Sequence, residues 1–515
     1  MNSTKPFVFP EVYPVACHTD HVSPGGVFVA INGTKQKGIE YVSEALKRGA
    51  RTIILEATSH EQKKALAFEI QQRLERLGVS YDYALEFTDN ARKELACASA
   101  RVLGYPARSL KIVAVTGTKG KSTSVFILRH ILKQAGYKTA LLSTVKNYIL
   151  DYELKTELTT QQPDYLQVFF DQCVKVGVEY VVMETAAQAF SLHRVEGLHF
   201  IGAIFTNISQ EHAEFYPDQR DYFEAKKQII KYLSPGAPLI INGDDERVCT
   251  LRELYPHCAM FSVNNPLYAD ASAGVGTDIP VSAEVVKNDL SGLRLLIRAY
   301  GTEYESEIPA LVGSFNASNV LGCVALLLKL GITQAALVQG LRSFERVPGR
   351  LEKILLSNGA TAFIDYAHNP SSFKALFQAL RPLTNHLVVL FGAGGERDAT
   401  KRPVMGALAA SYADQVVISS DNPRSEDPAV IAQDILAGIA AVDRKKVVIE
   451  LDRERALTIA YDLSGPESMI LLLGKGPDEY QLVKGVKLFF SEAQILRALP
   501  KKTTFTTLKT TEMSN

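Results

Sequence analysis

What the sequence lacks narrows the field first. It has no excess charge of either sign, with 56 Lys plus Arg against 56 Asp plus Glu. No overall field therefore recruits nucleic acid or an anionic membrane, and an anionic ligand must be held by cations gathered at one place. No run approaches the ~18 apolar residues that a membrane span needs. The start, MNSTKPFVFPEVYP, has no basic segment followed by a long apolar one, so a cytoplasmic protein without a membrane or nucleic-acid partner is expected. The cysteines, Cys17, Cys97, Cys173, Cys249, Cys258 and Cys323, show no C-x-x-C spacing, which fits buried thiols better than a disulfide framework or a zinc site. No internal repeat of solenoid length is present.

What remains is a long chain of mixed pattern. At 515 residues, 46% apolar and 22% charged, it can bury large cores and exceeds one ordinary domain. Short strand-like runs, Val27 to Ile31 and Thr52 to Leu55, alternate with helical sequence such as Glu44 to Arg48 and mark a small α/β unit over residues 1–108. Lys111 to Thr116 opens a series of apolar strands, Val178 to Met183, Ile201 to Phe205 and Leu239 to Ile241, that predicts a mostly parallel sheet over residues 109–343. The pattern breaks at Pro348 and Gly349. A third α/β series follows over residues 344–498: Ala362 to Ile364, Leu387 to Phe391, Gln415 to Ile418, Val447 to Ile449 and Met469 to Leu473. Residues 499–515 are polar and threonine-rich and read as a disordered tail.

The strongest local signal is a phosphate loop. A strand runs into Gly117, Thr118, Lys119, Gly120, Lys121, Ser122 and Thr123, and then into a helix with Val125, Leu128 and Leu132 on one face and Gly136 at its end. Glycines let backbone N–H groups approach phosphates, the helix N-terminus adds positive potential, Lys121 can reach β- and γ-phosphate oxygens, and Ser122 can ligate Mg²⁺. Val115 stands where such loops usually have their first glycine, and an ordinary strand-to-helix turn is the alternative. Glu184 and Asn207 follow later apolar runs, beyond the carboxyl ends of strands where open parallel sheets place ligands. With His212 they can hold a divalent ion, although each taken singly reads as a surface or capping residue.

A second cation stands out in SSDNPRSEDP, Ser419 to Pro428, where a strand ends in an Asp-Asn-Pro turn that also carries Arg424. By itself Arg424 reads as paired with Glu426 or Asp427. With Arg397 of Gly394 to Asp398 it can instead grip a carboxylate through two parallel hydrogen bonds.

Taken together, TGTKGKST (116–123), METAAQAFSLHRV (183–195), FTNISQEHAEFYPDQRDYFEAK (205–226), INGDDE (241–246) and LVGSFNASN (311–319) resemble the Mur ligases, ATP-dependent amino-acid-adding enzymes of peptidoglycan synthesis. VPGRLEKI (347–354), FIDYAHNP (363–370), FGAGGERDATKRPVMG (391–406), SDNPRSEDP (420–428) and GKGPDEYQ (474–481) are most similar to the branch that adds the third residue of the stem peptide. The resemblance covers nearly the whole chain. It implies a three-domain α/β architecture: a small N-terminal domain for the UDP-substrate, a central P-loop parallel-sheet ATPase domain and a C-terminal Rossmann-like domain for the amino acid.

It also implies roles. Gly117 to Thr123 would bind ATP phosphates, Asn316, Asn319 and Asp365 the nucleoside, with Arg350 and His368 facing it from the third domain. Lys121, Glu184, His212 and Lys226 would be catalytic. Mg²⁺ would be held by Ser122, Glu184, His212 and Lys226, the last as a carbamate formed with CO₂. Thr19, Thr34, Lys35, Gln36, Thr159, Thr160 and Arg194 would receive UDP-N-acetylmuramoyl-L-Ala-D-Glu. Arg397, Asp421, Asn422, Pro423, Arg424, Gly474 and Asp478 would receive meso-diaminopimelate, Arg424 and Arg397 taking its distal carboxylate. Lysine would instead present an ammonium to these cations and be rejected. The implied reaction is attack of the D-glutamate side-chain carboxylate on the ATP γ-phosphate, followed by displacement of phosphate from the acyl phosphate by the incoming amine, in a monomeric enzyme.

The chain departs from the family at three places. His18-Thr19-Asp20 replaces an Asp-Ser-Arg, Ala186-Ala187-Gln188 replaces a Ser-Ser-His, and Gly474-Lys-Gly-Pro-Asp-Glu-Tyr480 replaces Gly-Lys-Gly-His-Glu-Asp-Tyr, leaving Asp478 and Glu479 as alternative acids for the amino group. A paralogue that adds another amino acid or uses another carboxylate acceptor, a non-ligating P-loop regulator and a folylpolyglutamate synthase are the competing readings.

Overall fold

The computed structural model describes residues 7–33, 36–209, 215–263 and 281–500. Two units emerge, the first from the described residues of Met1–Val286, Leu295–Glu307 and Asn316–Phe344, the second from those of Lys287–Arg294, Ile308–Phe315 and Glu345–Asn515.

The first unit begins with four strands, β1 (Tyr13–Ala16), β2 (Val22–Ala30), β3 (Thr52–Glu56) and β4 (Ala84–Thr88), side by side in chain order and all parallel. Alternate residues serve opposite faces, as the pleat requires. Phe28, Ile53 and Leu55 join Leu46 and Ile70 in one core, whereas Val15, Val29 and Ile54 pack with Leu95 in another. The carboxyl ends of all four strands consequently open on one edge.

A larger sheet follows: β5 (Lys111–Thr116), β6 (Thr139–Leu142), β7 (Asn147–Ile149), β8 (Tyr152–Leu154), β9 (Tyr180–Glu184), β10 (Phe200–Phe205), β11 (Leu239–Asn242), β12 (Cys258–Ser262), β13 (Val281–Asp289), β14 (Gly292–Ala299) and β15 (Thr302–Ile308). Its order is β15-β14-β13-β12-β11-β10-β5-β9-β6-β7-β8. The stretch from β6 to β13 is parallel. The apolar runs of β5 and β9 are buried throughout, and that of β10 everywhere but the half-buried Ile201, as a sheet covered on both faces demands. The antiparallel additions β7 and β8, and the alternating strands β13 to β15, fall outside the sequence expectation because their polar faces break the apolar signal.

In the second unit β16 (Glu352–Leu355), β17 (Thr361–Asp365), β18 (Leu387–Phe391), β19 (Gln415–Ile418), β20 (Val447–Ile449) and β21 (Met469–Leu473) run in the order β16-β17-β21-β18-β19-β20. Only β16 is antiparallel to its neighbour. A hairpin, β22 (Tyr480–Val483) with β23 (Val486–Phe489), follows β21. The predicted tail starts too early. Leu499 packs against the core around Ile470 and Leu472, and the Pro500 carbonyl accepts a hydrogen bond from the Tyr461 hydroxyl; residues 501–515 lie outside the described residues. All six cysteines are free. Among the described residues no helix is long and apolar enough to cross a membrane.

Candidate active site

The phosphate loop joins β5 to the helix Lys121–Gln134. Gly117 and Gly120 have φ of +133° and +87°, a region that costs a side-chain-bearing residue energy. Space forbids one as well, since a Cβ would meet Thr206 Oγ1 at 2.0 Å and Asn319 Oδ1 at 2.1 Å. The segment after β10 holds the loop in shape. Lys119 N donates to Asn207 Oδ1 at 2.9 Å, Thr118 N to the Asn207 carbonyl at 2.9 Å, and Thr206 Oγ1 to the Lys119 carbonyl at 2.6 Å. Two ammonium groups converge here. Lys121 Nζ donates to the Gly117 and Thr118 carbonyls, both at 2.9 Å, and the fully buried Lys226 Nζ donates to the Gly117 carbonyl at 2.8 Å. Asn319 Nδ2 donates to Asn316 Oδ1 at 2.9 Å, so both predicted nucleoside contacts of this unit flank the loop at Gly120.

Glu184 ends β9, the strand paired with β5, where it lies opposite Val115. Buried at 1% exposure, its carboxylate accepts from Thr144 N at 3.0 Å and from Thr144 Oγ1 at 3.1 Å. These bonds fix it at the carboxyl end of the sheet beside the loop. Ser122 sits in the first turn of the next helix. A hydroxyl and a carboxylate are hard oxygen donors, the set that suits Mg²⁺. His212 lies outside the described residues, as do Thr34 and Lys35, and among the described residues no group of three His, Cys, Asp or Glu side chains assembles.

The predicted acceptor residues divide. Thr159 bonds Thr144 Oγ1 at 3.1 Å. The Thr160 hydroxyl is spent inside the protein, donating to the Glu184 carbonyl at 2.9 Å and accepting from Ala186 N at 3.1 Å. Arg194 Nη1 donates to the Thr160 carbonyl at 2.8 Å, which aligns the Thr159–Thr160 loop with the end of β9. Thr19 is buried and Gln36 accepts from the Tyr41 hydroxyl.

In the second unit Asp365 ends β17 and accepts from Leu351 N at 2.9 Å and Ala367 N at 2.8 Å. Burial pushes its carboxyl above the usual range, with the Arg350 charge pulling the other way. The Arg350 guanidinium lies over the Tyr366 ring, 5.0 Å from its centroid, and His368 Nδ1 is 2.7 Å from the Tyr366 carbonyl. Arg350, Asp365 and His368 therefore form one cluster.

The Asp421–Arg424 turn is clamped by the hairpin. Arg424 has φ of +55°, unusual for a residue with a side chain and worth about 1–2 kcal/mol of strain. It persists because Arg424 N donates to the Leu482 carbonyl at 2.9 Å and Lys484 N donates back to the Arg424 carbonyl at 2.7 Å. The guanidinium Nη1 donates to the Gly395 carbonyl at 2.5 Å, and a Cβ on Gly394 would touch both Arg424 and the Arg397 stem. The two arginines thus meet at one loop. The simple ion-pair reading of Arg424 is corrected: Glu426 pairs with Arg402 at 2.8 Å, and Asp427 caps the helix Pro428–Ala437. A cavity of about 740 Å³ opens beside the turn; of the predicted amino-acid residues only Pro423 and Arg424 line it.

Behind the turn lies Lys475, 1% exposed, whose Nζ donates to the Tyr480 carbonyl at 2.5 Å and sits 3.5 Å from both Asp421 Oδ1 and Asn422 Oδ1. Gly474, φ +108°, brings the chain so close that a Cβ would lie 3.0 Å from Asp421 Oδ2. Asp478 is the acid turned towards this group: burial pushes its carboxyl up, and the Lys475 charge opposes the shift. Glu479 is exposed and accepts from Ser491 Oγ instead.

Residues 115–327 match the family model described as Mur ligase middle domain, and residues 349–476 the one described as Mur ligase, glutamate ligase domain. A UDP-N-acetylmuramoyl-L-alanyl-D-glutamate--2,6-diaminopimelate ligase of Cytophaga hutchinsonii is 31% identical over 95% of this chain and 94% of its own. The chain belongs to the Mur ligase family. A relative with the same name from Synechococcus elongatus is 33% identical over 92% of this chain and 91% of its own. The fold is shared with a solved ligase of that name, at a TM-score of 0.62 and 24% identity over 94% of each chain. It is shared too with the MurF ligase of Thermotoga maritima in complex with ADP, at 0.60 and 19% over 91% and 95%.

Two residues of this Mur ligase escaped the sequence reading. Lys475 stood inside a recognised motif, yet only its burial sets it among Asp421, Asn422 and Tyr480. Arg453 had no motif at all. With its side chain fully buried, it donates to Glu492 Oε1 at 2.8 Å, to the Ser420 carbonyl at 3.1 Å and to the Leu473 carbonyl at 3.3 Å. It thereby ties the ends of β19 and β21 to the last helix.

Proposed function

We propose that this chain catalyses ATP-dependent addition of meso-diaminopimelate to UDP-N-acetylmuramoyl-L-Ala-D-Glu, a cytoplasmic step of peptidoglycan precursor synthesis, as a monomer. Residues 1–108 receive the nucleotide end of the acceptor, 109–343 bind ATP, and 344–498 receive the amino acid. The carboxylate of the D-glutamate side chain attacks the γ-phosphate, ADP leaves, and the amine of diaminopimelate displaces phosphate from the acyl phosphate to give the amide. Lys121 and the backbone N–H groups of the loop offset charge that builds on the transferring phosphoryl group, and the rigid loop holds it in line. Mg²⁺, when bound to Ser122 and Glu184, screens the repulsion between two anionic reactants. Carbamylation of the buried Lys226 by CO₂ would replace a cation by an anion there, and isotope-labelled CO₂ in a magnetic-resonance experiment would reveal it.

The observation that carries the choice of amino acid is the Arg424 turn. It supports a guanidinium fixed in place by its own backbone, beside Arg397, while the nearest acids in sequence serve other partners. Such a group suits a substrate with a second carboxylate. Asp478, next to Lys475, is the candidate partner of the substrate's ammonium group. Phosphate release measured with ATP, Mg²⁺, the UDP-sugar dipeptide and meso-diaminopimelate, omitting each in turn, tests the reading. Turnover should need all four, and release that ignores the dipeptide would contradict it.

A further inference from the structure

Beyond Cys17, Asn32 and Thr88, at the carboxyl edge of the first sheet, two arginines lack acidic partners among the described residues. Arg92 lies in the first turn of the helix Ala91–Val102, where the helix dipole disfavours a cation. Its Nη2 donates to a neutral group, the Asn32 carbonyl, at 3.0 Å. Asn32 is itself held, its Oδ1 accepting from Gly38 N at 3.1 Å, and the adjacent Gly33 N donates to the Gln36 carbonyl at 2.9 Å. Among the described residues Arg194, 9% exposed, donates to the Thr160 carbonyl alone, and its buried Nε has no partner. Neither guanidinium is in an ion pair among the described residues. Burial first, and then the like charge of Arg92, weigh against the Arg194 cation. The nearby acids serve otherwise, Asp164 holding Cys17 N at 3.0 Å and Glu56 holding Ala91 N at 2.9 Å.

Two like charges left unpaired at a strand-end edge cost energy unless an anion joins them. We infer that Arg92 is a further acceptor-binding residue, which with Arg194 grips an oxyanion of the UDP-sugar peptide between Asn32 and the Thr159–Thr160 segment. The inference rests on the acceptor named under Proposed function. The oxyanion is a diphosphate oxygen or a carboxylate of the dipeptide; both accept paired guanidinium N–H donors.

Calorimetric titration of UDP-N-acetylmuramoyl-L-Ala-D-Glu, and of UDP-N-acetylmuramate lacking the dipeptide, into wild type, Arg92→Ala and Arg92→Lys tests it. Arg92→Ala should weaken the dipeptide ligand by roughly 10- to 100-fold, with ADP affinity and the thermal midpoint held. Arg92→Lys, which keeps the charge and loses the fork, should fall between, and should keep the salt dependence of binding that Arg92→Ala loses. An equal loss for both ligands assigns the contact to the diphosphate; a loss confined to the dipeptide ligand assigns it to a carboxylate. Binding by Arg92→Ala within twofold of wild type overturns the inference, as does an equal loss in both variants with unchanged salt dependence, the sign of a residue that only props Asn32. Failure of the wild type itself to bind the dipeptide ligand would sink the functional reading, and this inference with it.

Discussion

The phosphate loop of the first unit and the Arg424 turn of the second both set cations at the carboxyl ends of parallel strands, yet they are made rigid differently. The loop is stiffened by glycines in its own stretch and by one neighbouring segment, Thr206-Asn207, that caps its amides and carbonyls. The turn is stiffened from afar, by the hairpin at Leu482 to Lys484, by Lys475 and by the Arg453–Glu492 pair. A loop that carries its own rigidity should lose function sharply from one residue with little change in fold. A turn braced by distant buried charges should lose stability and function together.

Lys121→Ala tests the first half and should have the largest effect. Removing the cation proposed to face the transferring phosphoryl group should cost roughly 10²- to 10³-fold in kcat/KM for ATP, while the thermal midpoint stays near that of wild type. A midpoint that fell in step with activity would erase the contrast.

Arg453→Ala tests the second half. Breaking a fully buried ion pair costs about 3–5 kcal/mol because Glu492 is left charged and unpaired. Thermal denaturation should show the second unit melting earlier, and KM for diaminopimelate should rise more than KM for ATP. The double variant Arg453→Met with Glu492→Leu should recover much of the stability; failure to recover would mean that the carbonyls of Ser420 and Leu473 depend on the guanidinium as well.

Asp478→Asn should act least, and in opposite directions on stability and function. Burial raises the Asp478 carboxyl in the folded state, so the folded protein binds its proton more tightly than the unfolded chain does. Its favourable contribution is present below the unfolded value, about 3.9, and is lost as pH rises through the higher folded value. The variant should therefore match wild type in acid and become the more stable of the two as pH rises towards neutral, with a higher KM for diaminopimelate. Denaturation midpoints across that range, level throughout, would remove the burial argument.

The same contrast explains what could be read in advance. The loop was legible because glycine, lysine and serine stand together between an apolar strand and an amphipathic helix, so chemistry and geometry share one short stretch. Most strands of the parallel sheets were legible for a similar reason, as in Leu387 to Phe391, where burial on both faces leaves an unbroken apolar run. Arg453 was not, because its partners Glu492, Ser420 and Leu473 are distant in sequence and meet only once β19 and β21 are in register with β18. The choice between Asp478 and Glu479 was equally closed to sequence, since the two neighbours differ only in which side of the chain is buried. Nor did Arg424 announce its positive φ, which the hairpin imposes.

The claim that Arg424 reads the second carboxylate of the substrate is tested most directly by competition. Wild type and Arg424→Ala are given ATP, Mg²⁺, the UDP-sugar dipeptide and equal meso-diaminopimelate and L-lysine, and the two products are counted by mass spectrometry. Wild type should form the diaminopimelate product almost alone. The variant should lose that preference by roughly 30- to 100-fold, the worth of a charge-assisted bond pair of about 2–3 kcal/mol, with KM for ATP nearly unchanged. An undiminished preference in Arg424→Ala would contradict the account.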